Sequence, residues 1–380
     1  MARFDVAVIG AGPAGSSSAI SLARRGHSVT LVDKSFFPRE KLCGDFLNPI
    51  NWPIFEELGV AGELLSLEHE EVTAFRISAC SGREIAIHFP FQNGQRPFGL
   101  GLSRFYLDNL LLRRAAKEGA KIRQGQRVTD LRRERNGWTM TVGRDRLRST
   151  VLIGADGRNS WVAHRLGLAR REENGCSSLA FQLRLRGVEG IRGEVQIHLF
   201  PGGYAGVIGL GGDAANLCFT VERSRIKGEL SRATLFGNFL YKNLRLRELL
   251  RRSEIVGKIS SAYPVYFSPR HPYGDGLLLV GDAARVTEPV TGEGVYFALK
   301  SGELAAKSLE IAFSKGNFSA RELSSSQLLC QRAFSPRQRV NGMIRALIRH
   351  SFILHPLIHL SSKTSAPLFR PIVNFIVGQN

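Results

Sequence analysis

The chain has 380 residues, 43% hydrophobic and 22% charged, which excludes general disorder. At roughly 150 residues per domain it divides into two units with an appendage, and its 40 glycines carry no G-X-Y period, which excludes collagen. Lys+Arg 52 against Asp+Glu 33 leaves a net charge of +19, an imbalance that calls for an anionic partner such as nucleic acid, anionic lipid or an anionic ligand.

The N-terminus reads strand, glycine turn, helix, strand. Phe4-Asp-Val-Ala-Val-Ile9 is a strand with no leader before it, Ser16 to Arg25 is helical and stopped by Gly26, and Ser28-Val-Thr-Leu-Val32 is a second buried strand. This βαβ unit begins a parallel sheet. Short alternating segments over 71–99, such as Glu84-Ile-Ala-Ile-His-Phe89, suit an antiparallel sheet. A second helix runs from Arg104 to Lys117. Alternation returns in Ser178–Leu185, Glu194–Phe200 and Asn216–Val221, Leu277–Val280 is a strand returning to the first sheet, and a helix follows from Gly294 to about Ala312. The remaining 60 residues are read as helical fragments broken by Pro336, Pro356, Pro367 and Pro371.

The expected fold class is α/β. A doubly wound, Rossmann-like domain comprises 1–70, 100–170 and 272–320, an inserted antiparallel β substrate domain comprises 71–99 and 171–271, and a basic helical tail comprises 321–380. Cys43, Cys80, Cys176, Cys218 and Cys330 form no C-x-x-C pair, which fits reduced thiols. No run of about 18 apolar residues is present to span a bilayer. The expected location is cytoplasmic, soluble or peripheral at the inner face of the membrane.

Three motifs carry chemistry. Gly10-Ala-Gly12-Pro13-Ala14-Gly15 lies between strand and helix, where Gly10 makes the tight turn, Gly12 admits a pyrophosphate and Gly15 lets the helix pack on the strand. Asp33 ends the next strand, placed to accept hydrogen bonds from a ribose. The second motif is Asp156-Gly157 after Leu152-Ile-Gly-Ala. The third is Gly281-Asp282, in which Asp282 can accept from a hydroxylated linker, followed by Pro289, Gly292 and Gly294, whose N–H groups face a ring or a developing negative charge.

Together and in this order these residues resemble the flavoprotein monooxygenase superfamily built on the p-hydroxybenzoate hydroxylase fold, with the geranylgeranyl reductase branch nearest. The resemblance covers about residues 1–310. It implies FAD, with Gly10, Gly12, Pro13, Ala14, Gly15, Asp33 and Lys34 on its ADP half and Asp282 on the ribityl chain. It also puts Asp156-Gly157 at both FAD and NAD(P)H, Pro289 to Gly294 along the flavin ring, and Arg104 near the cofactor. Pro38-Arg-Glu-Lys-Leu-Cys43-Gly44-Asp45 resembles the branch's Cys-Gly segment beside the isoalloxazine, and Cys43 is a candidate proton donor. Pro201-Gly-Gly-Tyr204-Ala-Gly206-Val-Ile208 matches the Pro-x-x-Tyr-x-Trp-x-Phe of prenyl reductases, retaining Tyr204, a candidate pocket residue, with Gly in the place of Trp. Position 163 is Ala where the family carries Arg after the Asp-Gly motif, and the isolated tryptophans do not match the Trp-x-Trp-x-Ile-Pro of halogenases.

On this reading the leading activity is NAD(P)H- and O₂-dependent hydroxylation of a lipophilic aromatic, polyketide or isoprenoid substrate, with NAD(P)H as reductant. Reduction of prenyl double bonds is the alternative, and a flavin-bearing RNA-binding or scaffold protein is the rival from another class. His198 is a candidate pocket residue set against a structural role. No metal-ligand spacing is present. Residues 321–380 hold eight Lys/Arg and a single acid, Glu322. Arg337, Arg339, Arg345 and Arg349 flank apolar clusters at Ile344, Leu347, Ile348 and Phe352 to Leu354, a pattern suited to an anionic membrane surface. The tail lacks the interleaved Tyr and Trp that stacking on nucleic acid would use.

Overall fold

A computed structural model describes residues 1–91, 97–169, 178–226, 228, 231–265, 269–286, 289–349, 358 and 369–378. The chain opens with β1 (Ala2–Ile9), α1 (Pro13–Arg24) and β2 (Val29–Val32), followed by β3 (Phe46–Leu47), α2 (Trp52–Leu58) and α3 (Ala61–Leu65). Next come β4 (Glu70–Val72), β5 (Ala74–Ser78), β6 (Glu84–His88), β7 (Gly99–Gly101), α4 (Arg104–Lys117), β8 (Lys121–Arg123), β9 (Val128–Glu134), β10 (Gly137–Val142), β11 (Asp145–Gly154) and α5 (Trp161–Arg165). The second half holds β12 (Ser178–Arg186), β13 (Glu194–Phe200), β14 (Gly203–Gly209), β15 (Ala214–Glu222), α6 (Arg232–Asn238), α7 (Leu244–Arg251), β16 (Glu254–Ala262), β17 (Tyr273–Gly274) and β18 (Leu277–Leu279). Helices α8 (Gly294–Lys315), α9 (Ala320–Arg349) and α10 (Arg370–Ile376) close it.

The first sheet runs β17-β18-β11-β1-β2-β8 and is extended by β9 and β10. Its centre, β18-β11-β1-β2-β8, is parallel. Apart from the edge strand β8, their buried stretches Val6–Ile9, Val29–Val32, Val151–Ile153 and Leu277–Leu279 are rich in Val, Ile and Leu because helices cover the sheet, which leaves no solvated face to alternate toward. Helix α1 is buried along almost its whole length, with Pro13 in its first turn, and the Ser17 hydroxyl donates to the Leu299 carbonyl at 2.8 Å, locking it to α8.

The second sheet has the order β16-β12-β15-β14-β13-β5-β6. The antiparallel expectation holds for most of it, but β5 and β13 pair in parallel. Strands β4 and β7 do not join this sheet at all; with β3 they form a separate three-stranded sheet. A single alternating stretch thus feeds two sheets, because β7 pairs with both β3 and β4 rather than with its sequence neighbours.

The tail departs most from expectation. Pro336 does not break it: α9 runs unbroken from Ala320 to Arg349. A proline inside a helix costs roughly 3 kcal/mol. Burial of Phe334 against Phe297 and Leu304, and an ion pair made by Arg337, offset that cost. Pro371 lies in the first turn of α10, where the missing N–H removes no intrahelical bond. Ile344 and Ile348 pack against a core containing Phe75, Ile197, Tyr204 and Val373, and so do not form an outward apolar face. Cys176, Pro356, Pro367 and the cluster Phe352 to Leu354 lie outside the described residues. Among those described, no helix is long and apolar enough to cross a membrane.

Candidate active site

The glycine turn leaves β1 at the C-terminal edge of the parallel sheet, where a crossover opens a crevice. Its three glycines serve different ends. Gly10 has φ +104°, and a Cβ there would lie 2.8 Å from the Asp156 Cα. A Cβ at Gly15 would run into the Gly10 carbonyl. Only Gly12 faces open space, its nearest neighbour there being the Arg39 guanidinium at 3.9 Å. The N-terminus of α1 has no side-chain cap and no acid in its first turn, so its positive dipole end and Arg39 converge on one place for a diphosphate. Asp33 takes the Ala11 and Ser35 N–H groups, each at 2.8 Å, which aligns its carboxylate at the crevice mouth.

From this turn a cavity of about 490 Å³ runs past Asp156 and Asp282 to Gly292 and Gly294, then beneath the second sheet to Tyr204 and Gly206. It brings together Gly10, Gly12, Pro13, Ala14, Asp33, Lys34, Cys43, Gly44, Arg104, Asp156, Gly157, Tyr204, Asp282, Pro289, Gly292 and Gly294. Two expected site residues stand behind its wall. Gly15 is closed off by the Gly10 carbonyl, and Gly281 packs on Ala14, whose Cβ would be 2.8 Å from one placed there, so both shape the cleft without facing it. Asp156 is turned partly away, its carboxylate accepting from the Ser160 hydroxyl at 2.5 Å and the Val162 N–H at 3.0 Å, which caps α5. An elongated cleft with an uncapped helix end at one side and an apolar chamber at the other fits FAD in an extended pose.

At the apolar end, Phe46, Phe75, Val195, Ile197 and Ile208 form the walls. Cys43 lies among them, partly exposed to the cavity. Burial pushes its thiol up, against the pull of Arg104, so it stays protonated at neutral pH. The Arg104 guanidinium is itself held by Asp108, at 2.6 and 2.8 Å. The Cys43 carbonyl accepts from Gln182 at 3.1 Å and from Asn216 at 3.0 Å, joining this loop to β12 and β15.

His198 does not reach the cavity. It is fully buried on the far side of β13, 2.7 Å from the Ser78 hydroxyl, and burial beside Arg245 and Arg76 lowers its pKa to about 3, which keeps it neutral and structural. Sequence reasoning passed over Asp45, Arg184, Gln182 and Asn216, which surround the Cys43 loop. Their signal is weak, since nothing local marks a polar residue on β12 or β15 as facing a loop 137 to 173 residues away. Asp108, four residues after Arg104, was legible as a helical ion pair.

The FAD binding domain model matches residues 3–197. The chain is 30% identical over 339 residues to digeranylgeranylglycerophospholipid reductase of Methanosarcina mazei, covering 84% of this chain and 78% of that protein. It is 29% identical over 317 residues to menaquinone reductase of Mycolicibacterium smegmatis, 80% of this chain and 76% of that one. The chain spans 66% to 79% of the length of the curated relatives it matches. Among solved structures, a flavoprotein/dehydrogenase from Cytophaga hutchinsonii superposes with a TM-score of 0.83 at 20% identity, covering 99% of this chain and 93% of that one, which establishes the shared fold.

Proposed function

This chain is an FAD-dependent oxidoreductase of the FAD binding domain family, and on that premise we propose that it saturates carbon–carbon double bonds in the isoprenoid chain of a lipophilic molecule. The observation that carries the reading is Cys43, a thiol kept protonated by burial at the junction of the ring-binding turn and the apolar chamber. Reduced FAD supplies a hydride when bound. The protein's share is then to align the alkene, exclude water and give one proton to the second alkene carbon. Phe46, Phe75, Ile197 and Ile208 do the first two, and the Cys43 S–H does the third, its thiolate facing Arg104. Two relatives whose names specify isoprenoid-bearing molecules support the substrate class.

A second reading, hydroxylation of a ring-bearing substrate, is favoured by Gly206. A Cβ there would have only the Cys218 carbonyl within 4 Å, at 3.8 Å, so the chamber has room for a ring. We propose NAD(P)H as the electron source, although the fully buried Ala163 takes the place of the family's arginine. We also propose that the substrate is met at an anionic membrane surface.

The test is anaerobic incubation of the reduced protein with a geranylgeranyl lipid. The product gains two hydrogens per reduced bond, and Cys43→Ala abolishes the gain while FAD stays bound. An oxygenated product formed only in air, with no anaerobic saturation, replaces this reading with the second. Reduction of the flavin by NADH or NADPH in the same vessel checks the electron source.

A further inference from the structure

Two cations in the middle of the cleft have no anion to answer them among the described residues. Arg158 follows Asp156-Gly157, Lys41 precedes Cys43 by two residues, and both line the cavity. The Arg158 Nη1 is buried with no hydrogen-bond partner, and Lys41 makes no ion pair among the described residues. The Arg158 backbone is fixed all the same. Arg270 donates to the Arg158 carbonyl at 2.8 Å and to the Ala283 carbonyl at 2.9 Å, tying the turn after β11 to the residue after Asp282. The guanidinium is thus held at the cavity wall with hydrogen-bonding capacity unspent, a costly state that an acceptor would relieve.

The neighbouring charges do not supply that acceptor. Arg39 and Arg104 are both taken by Asp108, at 3.3 and 2.6 Å. Asp156 is spent on the Ser160 hydroxyl and the Val162 N–H, while Glu40 and Asp45 both serve Arg184. Burial, followed by Arg158, Arg104 and Arg39, holds the Lys41 ammonium below the ordinary lysine value, and Asp282 alone pulls the other way. Like charges gathered along a concave wall focus their field and draw in an anion. FAD in its extended pose does not use this charge. Its diphosphate belongs with the N-terminus of α1 and Arg39, whereas the ribityl chain expected at Asp282 and the oxidised ring are uncharged.

We propose that Lys41 and Arg158 form a second anion site, separate from the diphosphate turn, which takes a phosphoryl group on the molecule that shares the cleft with FAD. Ammonium and guanidinium groups both donate to phosphate oxygens, the guanidinium as a planar fork. The inference rests on the isoprenoid reading of the apolar chamber and adds a head group to it, that of a prenyl diphosphate. Lys41 lies within about 7 Å of Cys43 along the backbone. A phosphoryl group held there leaves its prenyl chain to run past the thiol toward Phe75 and Ile197. The 2′-phosphate of NADPH offers the same chemistry, and the test separates the two sources.

The test uses the oxidised, FAD-loaded full chain, so that binding is read without turnover. Flavin spectral titration compares geranylgeranyl diphosphate with geranylgeraniol, and anaerobic flavin reduction compares NADPH with NADH. Two hydrogen-bonded cations at about one decade each give the diphosphate roughly a hundredfold advantage over the alcohol in wild type. Lys41→Gln and Arg158→Gln each remove about tenfold of it and leave binding of the alcohol unmoved. Lys41→Arg, which keeps the charge, retains the preference. FAD content and melting temperature stay at wild-type values, because neither side chain has a hydrogen-bonded partner among the described residues to lose. A preference for NADPH over NADH that the same substitutions erase, with diphosphate and alcohol bound equally, keeps the site and names the donor's phosphate as its anion. Variants that keep the diphosphate preference, or that lose FAD instead, overturn the proposal, as does a wild type that favours neither phosphorylated compound. A wild type that holds the diphosphate through Lys41 and Arg158 but saturates no double bond after reduction keeps the site and removes only the assigned reaction.

Discussion

Arg337, midway along α9, sets its guanidinium 2.5 Å from the Glu293 carboxylate, which is buried, while the Arg337 side chain keeps 11% of its surface exposed. Glu293 lies between Gly292 and Gly294, which line the cavity, and it precedes α8 directly. The rings of Tyr296 and Phe375 flank the guanidinium at 5.5 and 4.9 Å, and it donates to the Ile376 carbonyl at 3.2 Å. The basic tail is therefore built onto the turn that precedes α8 and into the wall of the apolar chamber, where Val373 and Ile376 share a core with Phe75, Ile197 and Tyr204.

Removing one partner of a buried pair leaves an uncompensated charge, at a cost of about 3–5 kcal/mol. Arg337→Gln is expected to lower stability by that order and to weaken FAD binding, while the double variant Glu293→Gln/Arg337→Gln recovers most of the loss. Urea unfolding of the three variants measures this, and a single variant as stable as wild type would refute the linkage.

The glycines of the turn separate by what a side chain would meet. Gly12→Val points two methyl groups into the cleft, so the apoprotein keeps its melting temperature and loses FAD. Gly15→Ala drives a methyl into the Gly10 carbonyl, so the fold itself is destabilised. Calorimetry of apoprotein together with flavin content distinguishes the two outcomes. Full FAD occupancy in Gly12→Val would remove the phosphate site from this turn, and Asp282→Ala tests the ribityl contact in the same way.

Because the folded carboxyl of Asp45 lies near 6, above its unfolded value of 3.8, its contribution to stability is complete below pH 3.8 and lost as pH rises through 6. A shift of that size corresponds to about 3 kcal/mol. Asp45→Asn should therefore gain stability relative to wild type between pH 4 and 7, and the difference in unfolding free energy at several pH values reads this directly. A pH-independent difference would mean that Asp45 ionises with an ordinary pKa.

Gly206→Trp fills the space beside Cys218 and Tyr204. It should retain FAD, since the cofactor end of the cleft is untouched. Isoprenoid quinones should bind at least tenfold more weakly, while slender linear prenyl lipids are largely unaffected. Flavin spectral titration with each class measures both affinities. Equal weakening of the two would show that the cleft has no separate ring compartment.

On α9 the outward positions include Leu328, Arg332, Arg339 and Met343, which share a helical face. Each basic residue near an anionic surface contributes about 1 kcal/mol, so Arg332→Gln/Arg339→Gln should reduce sedimentation with anionic vesicles and leave FAD bound. Arg337 is engaged by Glu293 and takes no part. Wild type that ignores anionic vesicles at low salt would end the membrane proposal.

The cofactor half of this protein was legible in its residues, because its rules are local. A strand, a glycine turn and a helix in sequence dictate the crevice, and Asp33 and Asp282 fall at strand ends where nothing but the backbone direction is needed to place them. The continuous α9 was not legible. Pro336 is a breaker by every local rule, and only the burial of Phe334 and the ion pair to Glu293, 44 residues away, outweigh it. His198 stood between a pocket and a structural role for the same reason, since alternation says which residues share a face but not which face meets the cavity, and the fold gives it the structural one. The surroundings of Cys43 were the least legible of all. Asp45 could be read as the neighbour of a glycine, but its left-handed backbone and its charge partner on β12, 139 residues on, exist only once the second sheet has closed over the first. A buried charge takes its meaning from what faces it, and tertiary contact alone decides that.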